Sequence, residues 1–99
     1  MEAKLVVLPD AAEDIDLAYK RYENQQRGLG HRFLDRFRAC TKILLHSPEA
    51  HAIVAGPYRR ALLRKFPYAV FYTYENDTVT IYAVLHTARD PSLWKLRLT

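Results

Sequence analysis

The pattern of apolar and polar residues divides the chain into a helical first half and a strand-rich second half. Residues 3–8 are apolar apart from Lys4, and Pro9 ends this segment, which predicts a short buried β-strand. A helix is predicted to follow. Asp10 is its expected N-cap, because a carboxylate can accept hydrogen bonds from the free N–H groups of the first helical turn. Gly28 is expected in its C-cap region, because glycine readily terminates helices. Its apolar stripe consists of Ala11, Ile15, Ala18 and Tyr22. We assign its early acids to capping and to the helix dipole: Glu13, Asp14 and Asp16.

A second helix is predicted over residues 29–46, ending at Ser47-Pro48. Its main apolar stripe consists of Phe33, Phe37, Cys40 and Leu44. Most of its remaining surface is charged, with a group of basic residues made up of Arg32, Arg36, Arg38 and Lys42. Because only a short loop separates the two helices, we expect an antiparallel helical hairpin.

The second half is rich in β-branched and aromatic residues, which predicts strands over residues 68–75 and 78–86. Asn76-Asp77 suits a two-residue turn, since both residues tolerate positive φ. The turn sets a register in which Tyr74 faces Val79. In that register the core face carries Tyr68, Val70, Tyr72, Tyr74, Val79, Ile81, Ala83 and Leu85. The opposite face carries Ala69, Phe71, Thr73, Thr80, Tyr82 and Val84, with His86 at its end.

A third strand is predicted over residues 58–65, with a turn at Phe66-Pro67, and it adds Arg60 and Arg64 to the second face. We therefore predict one α+β domain over residues 1–99. Its N-terminal strand and two-helix hairpin pack on a small, mainly antiparallel β-sheet. The helices cover one side of this sheet, and the other side is left open, basic and aromatic.

The distribution of charge and the single cysteine narrow the class of protein. The formal net charge of the 99 residues is +4. Residues 1–26 hold three bases and six acids (−3), residues 27–65 hold nine bases and two acids (+7), and residues 66–99 are neutral. A basic middle segment favours an anionic partner. Cys40 cannot form an internal disulfide, and its place in an apolar stripe indicates a buried side chain rather than a nucleophile.

Several classes of site and location are not expected. The longest aliphatic run, Leu5 to Leu8, is too short to span a bilayer, and no signal-peptide pattern accompanies it. We expect a cytoplasmic protein without membrane contact. Three of the histidines have no ligand partner at metal-binding spacing, and these are His31, His46 and His51. We expect neither a metal site nor a cofactor.

Five residues of the predicted open face can carry chemistry: Arg60, Arg64, Tyr82, His86 and Arg89. Arginine binds phosphate through a planar fork of donors, histidine transfers protons near neutral pH, and aromatic rings stack on bases. Such a set suits contact with single-stranded RNA or cleavage of its backbone. The alternative is that the arginines are solvated charges and that His86 only ends a strand. The spacing leaves both interpretations open, whereas Trp94 is expected to fill the edge of the core.

Two segments of the second half carry a recognisable pattern. The segment from Tyr58 to Tyr72 resembles the central strands of the RelE/ParE toxin superfamily. The strand from Thr78 to His86, followed by Arg89-Asp90-Pro91 and Trp94, resembles the closing segment of that superfamily. The N-terminal strand and helical hairpin fit the same order, so the resemblance covers nearly the whole chain.

This resemblance implies the toxin of a type II toxin–antitoxin module, bound by a cognate antitoxin in a hetero-oligomer. ParE-like members block DNA gyrase, whereas RelE-like members cut messenger RNA in the ribosome. The chain has no tyrosine after Tyr82, and its only lysines after Lys42 are Lys65 and Lys95. The set expected of a ribosome-bound nuclease is thus incomplete, which favours gyrase inhibition over the nuclease. A non-toxic remnant that only binds its partner is a further alternative.

The resemblance also implies two overlapping groups of site residues. The residues expected to bind the target or the antitoxin are Arg59, Arg60, Arg64, Phe71, Arg89 and Trp94. A RelE-like enzyme would instead use His86, Arg64, Arg89 and Tyr82 in catalysis. The two arginines would stabilise the negative charge of the phosphate, and His86 or Tyr82 would transfer the proton. Whether the chain is an enzyme depends on this choice.

Overall fold

The computed structural model describes residues 2–88 and 93–98, and it confirms the α+β architecture with its helical hairpin. The elements in chain order are β1 (Lys4–Val7), α1 (Pro9–Gln25), α2 (Leu29–His46), β2 (Ile53–Ala55), β3 (Tyr58–Leu62), β4 (Tyr68–Glu75), β5 (Thr78–His86) and α3 (Leu93–Arg97). The predicted bounds of α2 are confirmed. Strand β2 was not predicted, and β3 ends three residues earlier than expected.

The five strands form one mixed sheet in the order β1-β5-β4-β3-β2. Strand β1 runs parallel to β5, and the other neighbours are antiparallel. The prediction that β1 is buried is wrong, since Leu5 and Val6 are 39% and 42% exposed. The physical reason is its position: an edge strand has a neighbour on one side only.

The start of α1 and the link to α2 differ from the expectation. Leu8, not Asp10, is the N-cap of α1, because Pro9 occupies the first helical position, where its fixed φ fits and its missing N–H costs nothing. Gly28 is the N-cap of α2 rather than a C-cap of α1, and its φ of 88° suits glycine. Gly30 lies where the helices meet, since an added Cβ would stand 2.8 Å from the Tyr19 carbonyl oxygen.

The Glu23 carboxylate fixes this link between the helices. It accepts hydrogen bonds from the N–H groups of Gly28, at 3.0 and 3.1 Å, and of Gly30, at 3.0 Å. These backbone donors lie at the start of α2, where N–H groups have no partner within the helix. The Gly28 hydrogen bond is the main cause that lowers the pKa of Glu23 below its ordinary value of 4.5.

The β4–β5 hairpin keeps the predicted register from its turn as far as Tyr72, which pairs with Ile81. Asn76 and Asp77 have φ values of 52° and 56°, as a tight two-residue turn requires. A β-bulge then places one extra residue in β5, so that Phe71 pairs with Ala83. Beyond it the predicted faces are wrong, because the extra residue exchanges the two sides of β5.

The helices and the sheet enclose the main core. The largest of its fully buried side chains are Tyr72, Phe33, Leu44, Ile81, Val70, Val79 and Val84. Burying each aliphatic or aromatic side chain of this kind contributes roughly 1.5–3 kcal/mol. Cys40 lies in this core as expected, and burial raises the pKa of its thiol to about 11, so it is protonated at neutral pH. Within the described ranges, no helix is long and apolar enough to cross a membrane.

Candidate functional site

The side of the sheet away from α1 and α2, called the open face below, has a small apolar centre. Ala69, Phe71 and Ala83 are buried there. Trp94 of α3 stacks on Phe71, with ring centroids 5.4 Å apart and an angle of 15° between the planes. Val54, Leu85 and Leu98 complete this cluster. The expectation of a fully open face is therefore wrong, because the short helix α3 covers part of it.

A depression of about 80 Å³ lies beside the Phe71–Trp94 stack, and we call it the Arg60 pocket. The residues that line it are Arg60, Ala69, Phe71, Leu85, His86, Thr87 and Trp94. Three of the predicted binding residues, Arg60, Phe71 and Trp94, are thus brought together. A guanidinium beside two stacked aromatic rings can pair with a carboxylate or phosphate while the rings contact an apolar group.

Tyr82 is the extra residue of the bulge, and it lies elsewhere on the open face. Its ring meets the ring of Tyr58 edge to face, with centroids 5.1 Å apart. Both side chains are half-buried. The open face therefore presents two aromatic pairs, Phe71–Trp94 and Tyr58–Tyr82, with Arg60 beside the first.

His86 lies at the end of β5, where the bulge turns its ring toward the helix side. The ring meets that of Tyr68 at a centroid distance of 5.2 Å. Its Nδ1 atom accepts the Ala88 N–H at 3.1 Å, so neutral His86 carries its proton on Nε2. His86 borders the Arg60 pocket and also a cavity on the helix side that includes Tyr68 and Arg21.

Arg59 and Arg64 do not join the open face. The Arg59 guanidinium donates hydrogen bonds to the carbonyl oxygens of Glu49 and His51, at 3.2 and 2.7 Å. The Tyr72 hydroxyl donates to the Pro48 carbonyl oxygen at 2.9 Å, and together these bonds hold the segment between α2 and β2. The placement of Arg64 beside Arg60 is wrong, because β3 ends at Leu62 and Arg64 borders a depression lined by α2.

The residues expected to act in catalysis are therefore dispersed. Tyr82 lies against Tyr58, His86 against Tyr68, and Arg64 beside α2. Arg89 lies outside the described residues, as does the Asp90-Pro91 turn. A general acid–base pair must lie within hydrogen-bond reach of the same reacting group. The surroundings of these three side chains do not provide such a common centre.

An ion pair that the sequence analysis missed connects α1 with α3. The Asp14 carboxylate accepts two hydrogen bonds from the Arg97 guanidinium, at 2.9 and 3.0 Å, and a third from the Val84 N–H at 3.0 Å. The Asp14 hydrogen bond is the main cause that raises the pKa of Arg97. Strand β1 pairs with β5 only as far as Ile81, so the Val84 N–H has no partner in β1, and the Asp14 carboxylate accepts its hydrogen bond instead. The sequence does indicate that Asp14 faces the core, because residues three and four apart share one side of a helix and Asp14 has this spacing from the buried Ala11 and Ala18.

Comparisons with known proteins agree with this architecture. A family model described as the ParE toxin of the type II toxin–antitoxin system parDE matches residues 5–91. A solved structure described as the chromosomal ParDE TA system from P. aeruginosa superposes with a TM-score of 0.76 at 16% sequence identity. The superposition covers 86% of this chain and 96% of the other, and it supports the shared fold. No curated protein matches the sequence.

Proposed function

The chain belongs to the ParE toxin family of type II toxin–antitoxin systems, and from this membership we propose that it inhibits DNA gyrase and is neutralised by a cognate antitoxin. Family membership implies the antitoxin as a partner. The target is our proposal, and the match to the ParE model over residues 5–91 is the observation that carries it. The complex with the antitoxin is expected to be a hetero-oligomer, and the proposed target places the action in the cytoplasm.

The geometry of the predicted catalytic residues supports inhibition rather than RNA cleavage. Arg64 borders α2, whereas Tyr82 lies on the open face and His86 packs against Tyr68. Cleavage of an RNA backbone needs an acid, a base and a phosphate-binding group around one bond. Inhibition by binding needs only a surface, so we propose that this chain is not an enzyme.

We propose the open face as the surface that contacts gyrase. Arg60, Phe71 and Trp94 meet at one pocket, and the Tyr58–Tyr82 pair extends the aromatic surface. Aromatic residues and arginine dominate the energetic centres of protein interfaces, because they bury a large area and bind acidic groups through several donors. Arg89 is the remaining member of the predicted binding group, and its contribution is part of the same proposal.

A supercoiling assay with purified gyrase and relaxed plasmid tests both the target and the surface. The wild-type chain, freed from its antitoxin, should abolish supercoiling at a stoichiometric ratio. Arg60→Ala should weaken inhibition by about 10-fold or more, as truncation of an interface arginine typically does. Arg38→Ala is the matched control, because Arg38 is an exposed arginine of α2 paired with Asp35, and it should inhibit like the wild type.

Three results would contradict the proposal. Supercoiling that continues unchanged at an excess of folded wild-type chain would remove gyrase as the target. Message cleavage in a translation extract, lost in His86→Ala, would establish the nuclease instead. Unimpaired growth of cells that express the chain alone would indicate the non-toxic remnant.

A further inference from the structure

A second depression on the open face adjoins the Arg60 pocket, and we call it the Leu98 pocket. Its volume is about 440 Å³, against about 80 Å³ for the Arg60 pocket. Trp94 is the only described residue that lines both depressions, so its indole forms the wall between them. The described residues that line the Leu98 pocket are Val54, Ala55, Gly56, Tyr58, Trp94, Lys95 and Leu98.

The helical spacing of α3 explains how Trp94 comes to divide the two pockets. Trp94 and Leu98 are four residues apart, and the Leu98 N–H donates to the Trp94 carbonyl oxygen at 3.0 Å, so both side chains lie on one side of the helical turn. That side packs on the apolar cluster of the open face. The next residue, Lys95, is exposed, and its Nζ atom lies 5.7 Å from the centroid of the Trp94 ring, within the range of a cation–π interaction.

The walls of the Leu98 pocket suit an apolar side chain of a partner. Val54, Tyr58, Trp94 and Leu98 are all half-buried, so each keeps apolar surface that a partner can cover. Side chains that dominate the affinity of a protein interface typically enter such pockets, where burial of their surface excludes water.

Positive charge flanks this apolar site on two sides. Arg60 borders the smaller pocket and Lys95 the larger one, and both side chains are exposed. The ion pairs found among the described residues involve neither of them. No aspartate or glutamate belongs to the described lining of either pocket. The two cations are therefore available to the carboxylates of a partner.

We propose that these two pockets bind a segment of the target in which a large apolar residue is flanked by two acidic residues. The apolar side chain enters the Leu98 pocket against Trp94, one carboxylate pairs with Arg60, and the other pairs with Lys95. This inference rests on the proposed function in one respect, since it takes gyrase as the protein that holds the segment. It adds the chemistry of that segment and the two pockets that recognise it.

The contacts of the aromatic rings favour a protein segment over a nucleic acid. A base that stacks on an aromatic side chain needs a free ring face. The Trp94 ring already stacks on Phe71 and has Lys95 over it. The aliphatic part of the Leu98 pocket instead fits an apolar side chain, and cations at its edges fit carboxylates through complementary charge.

The test uses Trp94 itself as the reporter, because it is the single tryptophan of the chain. The folded full chain is titrated with a blocked synthetic peptide that has one phenylalanine between two aspartates in a glycine–serine background. The fluorescence of Trp94 should change and reach saturation. Replacing the phenylalanine by alanine, or both aspartates by lysines, should weaken binding by about 10-fold or more, through lost apolar burial or repulsion.

A double variant tests the two cations. Arg60→Gln/Lys95→Gln should bind the peptide about 10-fold more weakly, because both charge pairs are lost. The matched control is Arg38→Gln/Lys42→Gln, which removes the same charge from exposed positions of α2 and should stay within about 2-fold of wild type. Equal unfolding midpoints verify that both variants are folded.

A supercoiling assay then connects the site to the target. At saturating concentration the peptide with phenylalanine and aspartates should relieve the inhibition of gyrase by the wild-type chain, because it occupies the site that the target needs. The alanine peptide at the same concentration should leave the inhibition unchanged.

Several outcomes would overturn the proposal. Equal affinity for the three peptides would refute the recognition of an acidic and apolar segment, as would an equal loss in the control variant. Saturation of the Trp94 signal by a single-stranded RNA oligonucleotide at lower concentration than by the peptide would assign the site to nucleic acid. Peptide binding that leaves gyrase inhibition intact would separate the site from the target. If the wild-type chain does not inhibit gyrase at all, the proposed target is refuted, whereas the peptide titration contains no gyrase and still decides what the two pockets bind.

Discussion

The two sides of the sheet are built very differently. On the helix side, α1 and α2 cover the strands, and side chains such as Phe33, Tyr72 and Ile81 have no measurable exposure. On the open face, a buried centre of Ala69, Phe71 and Ala83 has the single five-residue helix α3 over part of it. The helix side holds most of the stabilising burial, whereas the open face combines a thin apolar layer with a basic pocket. The helix side therefore supplies most of the stability, and the opposite side of the same five strands is the one on which we propose that the target binds.

Arg59 and Arg60 show how sharply the sheet separates these roles. They are consecutive in β3, so their side chains point to opposite faces. Arg59 donates two hydrogen bonds to the segment that follows α2, and it contributes to the fold. Arg60 lines the pocket of the open face. Both were predicted to bind a partner, and the contacts of Arg59 favour a structural role for it instead.

The largest expected difference between the two sides comes from removing one aromatic side chain from each. Phe33 is fully buried and meets Tyr22, Phe66 and Tyr68, so Phe33→Ala should lower the free energy of unfolding by about 3–5 kcal/mol. Trp94 is half-exposed, and Trp94→Ala should cost about 1–2 kcal/mol. Urea denaturation of both variants measures the two values. Equal losses would mean that the sides contribute alike, and the comparison would fail.

A smaller loss of stability is expected from breaking the Asp14–Arg97 ion pair, which links the helix side to the open face. Asp14→Ala removes the partner of Arg97 and of the Val84 N–H, and it should cost about 2–3 kcal/mol, since both side chains are largely buried. Asp16→Ala is the control on the same helix. Its pair with Lys20 is exposed to solvent, so the free energy of unfolding of Asp16→Ala should stay close to that of the wild type.

Loss of the Asp14–Arg97 ion pair should also change the packing of α3 on the open face. Arg97 belongs to α3, which carries Trp94 onto Phe71. Loss of Asp14 should therefore loosen the indole and shift Trp94 fluorescence toward longer wavelength before global unfolding. An unchanged emission spectrum in folded Asp14→Ala would show that α3 is held by its apolar contacts alone.

Much of the fold could be predicted because local signals agreed with the final packing. The apolar stripe of α2 and the turn at Asn76-Asp77 gave correct bounds and a correct register near the turn. The bulge at Tyr82 could not be foreseen, because an inserted residue leaves the alternation of a strand rich in apolar residues almost unchanged. Its consequence was an exchange of faces for Val84 and His86.

The candidate site was predictable only in part, because its residues are far apart in the sequence and meet only through the tertiary fold. Arg60, Phe71 and Trp94 meet as a pocket because β3 pairs with β4 and α3 folds over them. Arg64 separated from this group because β3 ends at Leu62, and strand ends are weakly encoded by sequence. Asp14 carried a usable signal, since it shares a helical face with two alanines, but its partner Arg97 is 83 residues away.

The smallest expected effect lies wholly on the helix side, at Glu23. The folded state lowers the pKa of this carboxyl, chiefly through the Gly28 N–H, so the folded chain binds fewer protons there than the unfolded chain. Its stabilising contribution is complete above the ordinary pKa of 4.5 and is lost as the pH falls through the folded pKa. Glu23→Gln should therefore be less stable than wild type at neutral pH, and the difference should vanish once the pH falls below the lowered pKa of the folded state. Glu23→Ala also loses the acceptor atoms, and it should show the same pH dependence with a constant additional loss. The test is to measure unfolding curves of the wild type and both variants from neutral pH down to acidic pH. A stability difference between wild type and Glu23→Gln that does not change with pH would refute the role of the Glu23 charge.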